Sequence, residues 1–325
     1  MIIKLRHLVI VETLLIFILL GAFSAYYLID KHAEQKSSEG LLSPRIYTGV
    51  LQPKSFLIMH FKPLKQKITD YIVKNNINAS VYVENLRNGA FMGINERNEF
   101  VPASLNKLPV AILIMKNIEN ENLSLDTKLQ IRDSDRASGY GDLYKTPEKE
   151  LPLKLVLEKL MKESDNTALR MLLHYVDLED LQFVFDYYGM DLTILNDGSK
   201  HTDLVSPKEL SGLFSSLYFS TVLEPENSEY ILSLMEDSEV DIKKMAAIPD
   251  DVRLAHKFGA NYYQNNQFFH DCGIMYIDDS RIFYCIMTEG ADEEKSLKAI
   301  VTIVHDIYEY VISAKSKISD YTSQN

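Results

Sequence analysis

Residues 100–115 read Phe-Val-Pro-Ala-Ser-Leu-Asn-Lys-Leu-Pro-Val-Ala-Ile-Leu-Ile-Met. A proline-led entry runs into an apolar segment whose spacing predicts a helix over 104–118. Pro109 falls in its early turns, where a missing N–H is tolerated. Ser104 and Lys107 stand three residues apart at the start of this helix. Positions i and i+3 share a helix face, so the lysine can reach the serine hydroxyl. Serine needs a base to become a nucleophile, and a lysine can be that base only with a lowered pKa. Burial and the positive end of the helix dipole both disfavour the ammonium. Alone the pair is a weak signal. Chance supplies about two Ser-x-x-Lys pairs in such a chain, and a capping serine beside a solvated lysine is the plain alternative.

Outward from this stretch, the pattern predicts a helix over 63–75, a strand over 79–85, a turn at Arg87-Asn88-Gly89 and a strand over 91–100. Beyond it, helical spacing covers 151–161, 166–175 and 178–188. Ser206-Pro207-Lys208-Glu209 is a capping box with proline at the first helical position. Strand patterns return at 254–259, 267–277 and 281–288, and a helix closes the chain over 292–313. The expected fold is α/β of the α+β kind. An antiparallel five-stranded sheet, flanked by the terminal helices, is built from both ends of the domain. An all-helical lobe occupies about 104–250. A cleft between two such lobes is a common ligand site.

Two further segments carry chemistry. Ser164-Asp165-Asn166 lies at a junction between helices. Asp165 there reads as a helix cap. Ser164 would meet the Ser–Lys pair and pass a proton to a leaving group, and Asn166 would offer its amide to a substrate. Lys257-Phe258-Gly259-Ala260 lies on a strand. A strand lysine is ordinarily a solvated edge charge. Functionally, Lys257 would supply a second positive charge across the cleft, holding an anionic substrate and helping to keep Lys107 neutral. Gly259 would let a substrate backbone approach. The Ala260 and Ser104 N–H groups would form an oxyanion hole.

With these three segments in this order, the sequence resembles the class A β-lactamases and their penicillin-binding relatives, over about 61–310. The resemblance also takes in Val81-Tyr82-Val83-Glu84-Asn85-Leu86 with Gly89, and His270-Asp271-Cys272-Gly273. It implies a sheet-plus-lobe fold and an acyl-serine mechanism. Ser104 would be the nucleophile, Lys107 the base and Ser164 the proton shuttle. Asn166 and Lys257 would bind substrate, and Tyr140, in Ser138-Gly139-Tyr140-Gly141, would overhang the site. The implied substrate is a β-lactam, a D-alanyl peptide or another small amide or ester. Neither metal nor cofactor is expected. Gly89, Gly139, Gly141, Tyr262, Tyr263, His270 and Asp271 are expected at most to shape the site.

Two departures count against efficient β-lactam hydrolysis. The family deacylates with a glutamate in a Glu-x-x-Leu-Asn loop. The corresponding stretch, Asp191 to Val205, holds no glutamate, and Asp197 and Asp203 are the candidates to replace it. Phe258 stands where the family has a hydroxyl that binds the substrate carboxylate, and a phenyl ring cannot donate that bond.

The N-terminus and the composition set the context. Lys4 and Arg6 precede an apolar run from Leu8 to Leu28. In a helix this run spans about 31 Å, enough for a bilayer, with the domain outside. Residues 1–29 are therefore expected to be a membrane anchor, with a cleaved signal as the alternative. Residues 30–56 read as a linker and 57–325 as the catalytic domain. The net charge of −12 repels nucleic acid, which is excluded as a partner. The two cysteines, Cys272 and Cys285, are expected as buried free thiols, able to bridge only if the strand register sets them opposite each other.

Overall fold

The computed structural model describes residues 15, 18–25, 60–190, 204–263, 265–290 and 292–323. The chain forms two compact units, 1–57 and 58–325. In the first, residues 18–25 are helical. Among the described residues no helix is long and apolar enough to cross a membrane. Most of the 8–28 run, all of the expected linker and residues 191–203, with Asp197 and Asp203, lie outside the described residues.

The second unit starts with helix α1 (Lys62–Lys74), strand β1 (Asn78–Asn85) and strand β2 (Phe91–Ile94). It ends with β5 (Arg253–Tyr263), β6 (Asn266–Ile277), β7 (Ser280–Glu289) and α9 (Glu293–Ser323). The five strands form one sheet in the order β2-β1-β7-β6-β5, antiparallel throughout. β7 is almost continuously apolar because both of its faces are covered. Phe283, Cys285 and Met287 join the core beneath the helical lobe. By strand alternation, Ile282, Tyr284 and Ile286 face the other way. There α9 lies on β6 and β7, and α1 packs on α9 and β2. Lys67 on α1 pairs with Asp306 on α9 at 2.8 Å.

Between β2 and β5 come α2 (Lys107–Glu119), β3 (Lys128–Gln130), β4 (Glu150–Pro152), α3 (Leu153–Lys162), α4 (Asn166–Leu173), α5 (Leu178–Tyr187), α6 (Pro207–Tyr218), α7 (Pro225–Glu236) and α8 (Ile242–Met245). The apolar helix α2 is the hub and touches α3, α4, α5 and α7. The Ser206 capping box is formed, with both reciprocal bonds present.

Four expectations are corrected. The lobe is not all helical, because β3 pairs with β4 and buries Leu129 opposite Leu151. Helix α3 accordingly starts at Leu153 and not Leu151, since a residue before proline is pushed to extended backbone. The β2 strand ends at Ile94, because Asn95 takes a positive φ of 49° and turns the chain at Asn95–Asn98. The cysteines are not free thiols: β6–β7 register places Cys272 directly opposite Cys285, and they form a disulfide.

Candidate active site

Ser104 does not open α2 itself. It lies in a 3-10 turn, Ala103–Asn106, that runs into the helix. Pro109 explains this: an α-helix begun at Ser104 would need the Pro109 N–H to donate to the Leu105 carbonyl, and proline has none. The turn packs on β5 at Gly259. A Cβ there would sit 3.2 Å from both the Pro102 oxygen and the Ser104 nitrogen, so a side chain would push the serine away. Ala103 holds a φ of 51°, an uncommon conformation for a residue with a side chain.

Lys107 is 2% exposed. Its Nζ stands 3.2 Å from Ser104 Oγ, 3.0 Å from Ser164 Oγ and 2.9 Å from Asn166 Oδ1, and it also donates to the Ser164 carbonyl. Ser164 can present both oxygens to one nitrogen because its φ is 57°. Burial pulls the Lys107 pKa down to about 8, against the opposing charge of Asp165. The lysine is thereby brought towards the neutral form a base requires.

Asp165 caps α4, accepting from Ala168 N at 2.8 Å, and its other oxygen accepts from Leu143 N at 2.9 Å. Gly141, at a φ of 78°, lies so close that any Cβ would overlap this carboxylate. Asn166 takes the Tyr140 carbonyl through its backbone N–H at 3.1 Å. Its side-chain nitrogen reaches the Ser138 carbonyl at 3.3 Å. The Ser138–Gly141 loop is thus strapped to the same helix start that offers Ser164.

Lys257 is buried, and its Nζ reaches the Phe258 carbonyl at 3.2 Å. Burial, and then the charge of Lys107, push its pKa down to about 7, while Asp271 acts in the opposite direction. A solvated edge charge is therefore not what this residue is. A pocket of about 500 Å³ joins Ser104, Tyr140, Ser164, Lys257, Phe258 and Ala260. Phe258 is buried in its wall, 6.4 Å from Phe269 between ring centres.

The structure thus gathers the three sequence segments around one pocket. Sequence reasoning missed the outer wall, Ser238-Glu239-Val240. Glu239 N donates to the Lys162 carbonyl at 2.9 Å, which hangs this segment beside the end of α3. No local pattern marks it, because its place is set by a contact distant in sequence.

A family model described as the beta-lactamase enzyme family matches residues 63–311. The chain is 22% identical to β-lactamase VEB-1 of Pseudomonas aeruginosa over 280 residues, covering 79% of this chain and 89% of that one. Among solved structures it resembles PBP-A, with a TM-score of 0.69 at 22% identity, covering 78% of this chain and 98% of that one. It also resembles the TLA-1 extended-spectrum β-lactamase, with a TM-score of 0.70 at 18% identity, covering 78% and 100%. With the family match spanning most of the chain and the fold agreeing with it, this protein belongs to the beta-lactamase enzyme family and is a serine hydrolase.

Proposed function

We propose that the protein acylates Ser104 with a β-lactam or a related amide or ester, outside the cytoplasm and tethered by its N-terminal segment. The observation that carries the reading is the single lysine nitrogen standing between two serine hydroxyls. Neutral Lys107 takes the Ser104 proton as Oγ attacks the substrate carbonyl. The carbonyl C–N or C–O bond then breaks. The leaving atom receives the Ser164 proton, which Lys107 replaces. The Ser104 and Ala260 N–H groups take the oxyanion. Lys257 holds an anionic group, with Asn166 and Tyr140 along the substrate and Gly259 giving it room.

A mutant of PBP-A has been captured as an acyl-enzyme with penicillin G, which supports a penicillin as the first substrate to try. The lack of a glutamate between Asp191 and Val205 favours slow release of the acyl group, and Phe258 removes a hydroxyl that would bind the substrate carboxylate. The reading is therefore a penicillin-binding hydrolase more than a rapid β-lactamase, and a D-alanyl peptidase is the variant of it on a natural substrate. The disulfide supports the extracytoplasmic placement, since such bonds persist in oxidising compartments.

Intact mass of the folded domain after penicillin addition tests this. A slowly decaying adduct is expected on the native protein and none on Ser104→Ala. Binding without any adduct, to penicillin and to serine-reactive esters alike, would reduce the protein to a non-catalytic envelope-binding domain.

A further inference from the structure

His270 is fully buried on β6, paired in register with Gly259. Its Nε2 lies 2.7 Å from the Val101 carbonyl, and the Thr288 backbone N–H points at its Nδ1 from 3.3 Å. A carbonyl only accepts and an N–H only donates. The ring is therefore the neutral tautomer with its proton on Nε2, giving to Val101 and accepting from Thr288. Burial favours this neutral form and pushes the pKa down to about 4. Phe100 meets the ring edge-on at 6.0 Å and Phe268 flanks it at 6.3 Å, so it cannot swing.

The bond falls at a telling place. Phe100 is tied to Val205 by two backbone bonds of 2.9 Å. Val101 is tied to His270. Next come Pro102, the positive-φ Ala103, and Ser104 resting on Gly259. A strained residue persists only where its surroundings over-determine it. Here they grip the chain on both sides of Ala103: His270 before it, and the Gly259 seat after it.

We propose that His270 is a positioning residue for Ser104: by holding the Val101 carbonyl to the sheet it keeps the Ala103 turn wound, and with it the Ser104 hydroxyl and N–H aimed into the pocket. This rests on the acyl-serine reading above.

Two amide variants separate the role from simple packing. In His270→Gln the amide nitrogen reaches the Nε2 position and can still donate to Val101. In His270→Asn the shorter amide can serve Thr288 but not Val101. Both remove the ring, so a packing role would weaken both alike. The acylation rate constant, the penicillin dissociation constant and the melting temperature are measured for each. Expected are a loss of about 30-fold in acylation rate for His270→Asn, little change in dissociation constant, and recovery to within about threefold in His270→Gln. Equal rates in the two variants, or rates that simply follow melting temperature, overturn the proposal. If native protein forms no adduct with penicillin or with an activated ester, the acyl-serine reading itself fails, which is a different result from native labelling with unaffected variants.

Discussion

Ser104 and Ser164 are joined through one nitrogen: Lys107 Nζ lies 3.2 Å from the first hydroxyl and 3.0 Å from the second. The same lysine shares its surroundings with Lys257, whose pKa it lowers. Two coupled groups titrate as a pair, and their opposite duties set the pH response.

Acylation needs Lys107 neutral, so its rate rises with pH through about 8. Holding an anionic substrate needs Lys257 charged, so that contribution falls as pH rises through about 7. Acylation by penicillin should therefore peak in a narrow band around these values. A neutral activated ester does not use the Lys257 charge and should climb to a plateau above it. Stopped-time mass measurements across pH with both probes check this. Identical profiles for the two would remove Lys257 from anion binding.

Lys257 should cost stability. In the unfolded chain it keeps its proton up to the ordinary value of 10.5, whereas in the folded protein it loses it at about 7. Between those values the unfolded state binds more protons, so stability rises with pH across the window, and the full cost is present below it. Replacing the lysine by methionine, Lys257→Met, is expected to raise the melting temperature by about 5 °C near pH 6.5. The gain should shrink by about pH 9.5. A gain independent of pH would mean that packing, not charge, is what changed.

Phe258→Thr puts a hydroxyl into the pocket wall. A new bond to a substrate carboxylate should speed penicillin acylation about tenfold. Loss of the ring against Phe269 should cost about 3 kcal/mol of stability. Chemical denaturation and labelling rate, measured together, separate the two effects. An unchanged labelling rate would show that the family's hydroxyl position is not what limits this protein.

Cys272 and Cys285 are thirteen residues apart along the chain and lie in the core beneath the lobe. Replacing both by alanine should lower stability by about 3 kcal/mol. The acylation rate at moderate temperature should stay within about twofold, because neither sulfur lines the pocket. A matched loss of rate would place the disulfide among the supports of Lys257, its neighbour across the β5–β6 register.

The residues of the candidate site are legible where chemistry is compressed into a few positions. Ser104 with Lys107 and Ser164 with Asn166 each declare themselves within four residues, and the Asp165 cap follows from its type and place. The five-stranded sheet is legible because its strands alternate or run apolar and its turns carry Asn-Gly and Asp-Asp. What the chain hides depends on register. Whether Cys272 meets Cys285 is decided by one residue of slip in a hairpin. The β3–β4 pair is too short to alternate visibly, and Leu151 sits in an apolar run that suits a helix equally well. His270 is marked in the sequence only as a residue that shapes the site; its bond to Val101 is hidden because the two lie far apart along the chain.

The order in which the chain is made gives the sheet topology a further meaning. β1 finds its inner partner only in β7, and the Ser104 turn finds its seat and clamp only in β5 and β6. A growing polypeptide can therefore bring Lys107 to Ser164 and Asn166 within the lobe, while the Ser104 turn still lacks its seat at Gly259 and its clamp at His270. Such long-range closure slows folding and leaves the nascent lobe open until the last hairpin arrives. The nucleophile is thus the last part of the site to be fixed: it is seated only once the strands that carry Gly259 and His270 have been made.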